Sequence, residues 1–191
     1  HALAGLAYPE VAAAFQESRN SPPRVATNPN DQTEGNTMPT TKATPVHKEA
    51  TAMLRADHKL VSELFEQYEK SRSPAKKKEL VTQICKELTV HAQVEEEIFY
   101  PAVKAALKDH ELIPEASVEH ATLKDLIAQV EGLEPDGEMF DAKIKVMSEY
   151  VKHHVKEEQN EIFPKARATR LDMTELGAQI SARKQELMAA A

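Results

Sequence analysis

From residue 47 to the C-terminus, apolar side chains recur at steps of three and four, β-branched alternation is absent, and glycine occurs only at 132, 137 and 177. A chain patterned this way buries one stripe of each helix and lacks the period of two that a sheet requires. The expected fold is therefore all-α. Helices are predicted over 47–69, 74–107, 114–132 and 138–168, followed by an amphipathic segment over 173–188 that begins near Asp172 and buries Leu176, Ile180 and Leu187. Ser73 can cap the second helix and Pro74 suits its first turn. Pro101 lacks a backbone donor and is expected to bend it. Short connections between long helices predict an up-down-up-down four-helix bundle, complete by about 168, with an additional C-terminal helix within 169–191.

Residues 1–46 are different in kind. They hold six of the eleven prolines among Asn, Ser and Thr clusters and have few apolar side chains to bury, so a disordered N-terminal tail is expected ahead of one domain over 47–191. The chain opens on His1, which makes Met38 a candidate natural start and the stretch before it a candidate upstream leader.

Composition narrows the function. The 24 Lys and Arg against 31 Asp and Glu are mixed along the chain, giving a net charge of −7 and no basic footprint for nucleic acid or an anionic membrane. No apolar run is long enough to span a bilayer. Cys85 is the single cysteine, which rules out an intrachain disulfide or a Cys-rich metal site and fits a cytoplasmic setting. It lies beside the stripe of its helix with no neighbouring base, as a small buried side chain does.

The buried stripes carry the chemistry. They read Leu54, His58, Val61, Phe65, Tyr68 in the first helix and Leu80, Ile84, Leu88, His91, Glu95, Ile98 in the second. The third reads Ala116, His120, Leu123, Ile127, Val130, and the fourth Phe140, Ile144, Met147, Val151, His154, Glu158, Ile162. Each helix turns one His inward, and two add a Glu one turn later. The phrase around that pair is written twice, as "HAQVEEEIFYP" from His91 and "HVKEEQNEIFP" from His154, each with Glu four residues after His and Pro six after Glu. Burying carboxylates costs several kcal/mol each unless a cation compensates. Residues four apart share a helix face, so two His-x-x-x-Glu pairs and two single histidines offer six ligands: His58, His91, Glu95, His120, His154 and Glu158. Such mixed imidazole and carboxylate donors suit two iron ions, with manganese possible and zinc a weaker competitor.

His153 and Glu157 have the same spacing and form a rival pair, but the Glu-to-Pro distance and the apolar stripe favour His154 and Glu158. Glu96, Glu97, Glu157 and Glu161 are expected on solvated faces. His1, His47 and His110 fall in a tail, a helix start and a loop, as ordinary polar residues. The Glu-x-x-His of ferritin-like carboxylate proteins and the His-Glu-x-x-His of zinc proteases are both absent.

With "LRADHKLV", "VHAQVEEEIFYP", "VEHATLKDL" and "HHVKEEQNEIFP" in its four helices, the chain resembles the hemerythrin-like, or HHE cation-binding, family over roughly 50–168. The resemblance implies a four-helix bundle around a non-haem di-iron centre, oxo- or hydroxo-bridged, with His58, His91, His120 and His154 as terminal ligands and Glu95 and Glu158 bridging. It departs from the oxygen-carrying members, which have His-x-x-x-His in the third helix and His followed five residues later by Asp in the fourth. Here Ala116 and Lys124 flank His120 at four residues either way. Of about twelve positions on two octahedral ions, roughly two stay open, to be filled by water, substrate or a residue such as Glu119. Open positions favour reaction with O₂, nitric oxide or peroxide over simple reversible O₂ carriage. The expected function is therefore binding of, or reaction with, a small oxidant or gas in sensing, storage or stress protection. The alternative is a di-iron enzyme of peroxide or nitric oxide detoxification. A sensor would need a protein partner, and Tyr68, Tyr100 and Tyr150 could supply a hydrogen bond or an electron near the site, or simply pack.

Overall fold

The computed structural model describes residues 48–108, 111–135 and 137–190. The expectations for 1–46, and for His1, His47 and His110, lie outside them. Among the described residues the chain forms five helical rods and no strand. Helix α1 is Ala50–Lys70, α3 is Leu112–Ala128 and α5 is Met173–Ala190. Helix α2 runs as Pro74–Val94, a π-helical turn Glu95–Phe99 and Tyr100–Leu107. Helix α4 runs as Gly137–Glu157, a π-helical turn Glu158–Ile162 and Phe163–Arg167. The first four rods form the bundle, and α5 lies against α1 and α2.

The ends follow local chemistry. Ser73 Oγ accepts from the Lys76 N–H at 3.4 Å with Pro74 in the first turn of α2. Asp172 Oδ1 accepts from the N–H groups of Thr174 and Glu175, both at 3.0 Å, and so starts α5. Lys108, at φ 53°, closes α2 in the left-handed conformation.

A π-helical turn stands immediately before Pro101, where the bend is expected. Glu95 O accepts from the N–H of Tyr100, five residues on, and Glu158 O does the same from Phe163. Each turn thus ends where Pro101 or Pro164 enters the next helical segment, whose first turn does not need the missing donor. The wider turn also rotates the stripe: Phe99, fully buried, takes the inward place expected for the partly buried Ile98.

Two apolar clusters fill the bundle. One gathers Val61, Phe65, Ile84, Leu88, Leu123, Ile144 and Val151, and the other Leu54, Val94, Phe99, Ala116, Ile162 and Phe163 with Ile180 of α5. On every rod of the bundle the inward His falls between a member of one and a member of the other. Gly177 lets α5 approach the start of α1, because a Cβ there would stand 2.0 Å from the Lys48 carbonyl oxygen. Gly177→Ala is accordingly expected to lower the thermal midpoint. The overlap costs about 1–3 kcal/mol and outweighs the helix-propensity gain of about 1 kcal/mol. Thermal denaturation followed by circular dichroism reads the sign, and an increase would show that this contact yields freely.

Candidate metal centre

The six inward polar residues meet in one buried layer. His58 Nε2 lies 3.0 Å from His91 Nε2 and 3.1 Å from Glu158 Oε2, while His91 Nε2 lies 3.2 Å from Glu95 Oε2. On the other side His120 Nε2 lies 3.2 Å from His154 Nε2 and 3.4 Å from Glu95 Oε2, and His154 Nε2 lies 3.6 Å from Glu158 Oε2. The layer therefore holds two imidazole pairs, one from the α1–α2 hairpin and one from α3–α4, and each carboxylate touches a histidine of both. His58, His91, Glu95 and Glu158 converge within 4.8 Å as one ligand group; Glu95, His120 and His154 form a second.

Whether a cation fits can be tested on the carboxylates. Both Oε atoms of Glu95 and Oε2 of Glu158 are buried, and among the described residues none has a partner in hydrogen-bond geometry. Burial and the neighbouring Glu158 push the Glu95 carboxyl well above the usual carboxylate range. Burial also opposes ionisation of Glu158, but contact with His58 and the charge of His154 outweigh it and hold that group down at about 2. Burial and the neighbouring His154 lower His120 to about 4, and burial lowers His58. Imidazole nitrogens facing orphaned carboxylate oxygens are the donor set a divalent cation takes. The residues fit.

Behind each imidazole stands one further partner. His91 Nδ1 faces Asp57 Oδ2 at 3.5 Å, and His154 Nδ1 donates to Glu119 Oε2 at 2.6 Å. His120 Nδ1 donates to Glu96 Oε1 at 3.1 Å, and His58 Nδ1 lies 3.0 Å from Gln159 Nε2. A carboxylate accepts only, so it fixes the proton on Nδ1 and leaves the Nε2 lone pair for the centre. The arrangement is pseudo-symmetric. The residue before each single His (Asp57, Glu119) holds the His of a His-x-x-x-Glu pair, and the residue after each central Glu (Glu96, Gln159) holds a single His.

Two expectations are corrected here. Glu96 is only partly solvated, because its position after Glu95 turns it toward His120, where Lys124 closes on it at 2.6 Å. Glu119 sits behind His154 rather than at an open position on the ions. Glu97 is exposed as expected and bonds Arg183 of α5, and the exposed His153 pairs with Glu157 at 3.2 Å outside the layer. Sequence reasoning left Asp57 and Gln159 unremarked. Their signal was the fixed offset of one residue from a ligand, visible in "RADHK" and "KEEQN".

Of the three tyrosines, Tyr100 belongs to the site: its hydroxyl donates to Glu158 Oε1 at 2.8 Å and lies 3.3 Å from His120 Nε2. Burial and the charge of Glu95 raise its pKa, so it stays a donor. Tyr68 instead donates to Asp141, away from the layer. A surface cleft of about 550 Å³, lined by Glu96, Lys104, Ser117 and Lys124, reaches Tyr100. On the opposite side of the histidines is a space of about 10 Å³ among Val61, Leu88, Leu123, Val151 and Val155. It is room for roughly one water-sized molecule.

Cys85 is fully buried, and burial raises its thiol to about 12. At pH 8 the folded protein is expected to react with a disulfide reagent at least ~100-fold more slowly than the unfolded chain, since both the thiolate fraction and access are lost. Fast labelling of the native protein would show that this helix opens.

Comparison with known proteins agrees with the geometry. Residues 49–166 match the model of the hemerythrin HHE cation binding domain. A DNA nickase of Nostoc sp. is 32% identical over 111 residues, which are 58% of this chain and 31% of that protein, so the chain spans about a third of that relative's length. A crystal structure of a hemerythrin HHE cation binding domain-containing protein from Mycobacterium kansasii shares the fold, with a TM-score of 0.64 at 22% identity over 75% of this chain and 89% of that one. No helix among the described residues is long and apolar enough to cross a membrane. With buried His and Glu groups able to hold a metal at the centre of its helical bundle, the chain belongs to the hemerythrin HHE cation-binding family.

Proposed function

We propose that the protein is a non-haem di-iron protein that binds or reacts with a small oxidant or gas (O₂, nitric oxide or peroxide), in sensing, storage or stress protection. The observation that carries this reading is the sharing of Glu95 and Glu158 between two histidine pairs, since carboxylates that touch both pairs suit two ions rather than one. His58 and His91 would hold one ion, His120 and His154 the other. The pair of irons supplies, when bound, reversible electron transfer to a small ligand.

The chain's own residues set what that ligand can be. The space of about 10 Å³ that the four histidines share with Val61, Leu88, Leu123, Val151 and Val155 suits a molecule of a few atoms. The buried Tyr100 hydroxyl donates to Glu158 Oε1, and Tyr100 also lines the cleft. A hydroxyl donor beside the centre is what favours the second reading, an enzyme that disposes of peroxide or nitric oxide. The nickase activity of the Nostoc relative is not carried over, because the shared segment is a minor part of that protein and the acidic balance here gives DNA no footprint.

The test is to quantify metal after anaerobic iron reconstitution and then mix the reduced protein with O₂, peroxide and nitric oxide, recording spectra and turnover. Two irons per chain are expected; less than one per two chains ends the di-iron reading. A stable adduct supports the binder or sensor, and many turnovers of peroxide support the enzyme.

A further inference from the structure

The two ligand groups look alike from within and differ from behind. Around His120 and His154 the carboxylates Glu96, Glu119 and Glu157 cluster, and the cation in contact with them is Lys124, about half exposed and so weakly felt. Around His58 and His91 carboxylates and cations are evenly matched. Asp57 is closed by Lys184 of α5 at 2.5 Å, and Lys184 also stands 3.7 Å from Glu87. The partner of His58 is the uncharged Gln159, itself bonded twice by Arg55: Nη1 to Oε1 at 2.9 Å and Nη2 to the main-chain oxygen at 3.2 Å.

Arg55 also decides which end of the Gln159 amide meets His58. A guanidinium only donates, so Oε1 must face Arg55, and the amide nitrogen is left pointing at His58 Nδ1. That nitrogen donates, so Nδ1 accepts and the ring proton resides on Nε2, the atom a metal needs free. The other three histidines have carboxylates behind Nδ1 and are already in the metal-binding tautomer. Loading at His58 therefore requires the ring proton to change nitrogen and the amide to turn away from Arg55, with no anion behind to offset the ion's charge.

Resting on the two-ion reading, we propose that the two positions fill in a fixed order. The His120–His154 position binds first and tightly, and the His58–His91 position, latched by Gln159 and Arg55, is the exchangeable one. The pseudo-symmetric centre thus behaves as one permanent and one removable ion.

Titration of the metal-free full chain with Co²⁺ under anaerobic conditions, followed by calorimetry and by the Co²⁺ absorption bands, tests this. Two Co²⁺ per chain are expected in separate steps, the first about 10-fold or more tighter, the usual effect of an outer partner on metal affinity. His58→Ala should keep the tight step and lose the weak one; His120→Ala should keep only the weak one. Gln159→Glu gives Nδ1 an acceptor and should tighten the second step about 10-fold without moving the first, whereas Glu96→Gln should weaken the first. These two near-isosteric changes carry the test if an alanine variant fails to fold. Two equal steps, loss of the tight step in His58→Ala, or an unmoved second step in Gln159→Glu overturns the ordering while the two-ion reading stands. Uptake of fewer than two Co²⁺ by the unaltered chain overturns both.

Discussion

Glu95→Leu is expected to raise the thermal midpoint of the metal-free protein while abolishing its capacity for metal. Both carboxylate oxygens of Glu95 are buried without a hydrogen-bond partner among the described residues, so in the absence of an ion the group destabilises the fold whichever way it titrates. Ionised, it is an uncompensated buried charge; protonated, it keeps polar atoms unsatisfied at about 1–3 kcal/mol. A leucine of similar size removes that cost, and replacing buried ionic groups by packed apolar ones typically gains about 1–4 kcal/mol. That corresponds to a rise of roughly 3–10 °C in a chain of this size. The same oxygen stands between His91 and His120, so both ions lose a donor, and affinity should fall on the order of 100-fold or more for each. Scanning calorimetry of the metal-free variant and metal analysis after reconstitution read the two effects. A lower midpoint with metal retained would mean that Glu95 serves packing and not an ion.

Removing metal from the unaltered protein should lower its midpoint by about 10 °C or more at neutral pH. Ions held at a thousand times their dissociation constant contribute about 4 kcal/mol per site, and each kcal/mol moves the midpoint by about 2–4 °C. The loss should grow with pH. The raised pKa of Glu95 means that the metal-free fold keeps a proton that the unfolded chain gives up near 4.5. Its contribution is therefore whole below 4.5 and is lost as pH rises through the folded value. Glu158, held at about 2, contributes in the opposite sense: its share is present above 4.5 and disappears as pH falls from 4.5 toward 2. Between pH 5 and 8 His58 and His120, lowered by burial, stay neutral with or without an ion, whereas the metal-free fold favours a proton on Glu95 and, through Glu119, on His154, so the loaded and metal-free midpoints should diverge. For the same reason metal uptake near pH 6 should release protons, countable with an indicator dye. Uptake without proton release would show Glu95 already ionised.

The four stripes made the bundle legible, because an inward face repeats every three or four residues whatever the tertiary detail. They also brought out His58, His91, His120, His154, Glu95 and Glu158, which the structure places in one layer. What they could not carry is the phase change inside α2, since in α4 the expected Ile162 is buried. Strict 3.6-residue periodicity put Ile98 inward, but the π-helical turn adds a residue's worth of rotation after Glu95 and delivers Phe99 instead. The only trace of that turn in the sequence is the repeated interval from Glu to Pro. The residues behind the histidines were hidden for another reason. Asp57 and Glu96 are charged positions beside the stripe, and one-dimensional patterning assigns such positions to solvent, while Glu119 was legible only as a possible ligand. Their role needs two helices at once.

The polar layer lies between two apolar clusters, with Leu54 and Val61, Leu88 and Val94, Ala116 and Leu123, and Val151 and Ile162 on its two sides. A protein core is ordinarily what makes unfolding all-or-none, and here that continuity is interrupted at mid-height by imidazoles and by carboxylates that are unsatisfied without an ion. Across the interruption run the helix backbones and the shared carboxylates, so the ions complete the coupling between the halves. The centre would therefore govern cooperativity as well as chemistry: the loaded chain is expected to unfold as one unit, and the metal-free chain to open first along the polar layer, which native-state hydrogen exchange would read.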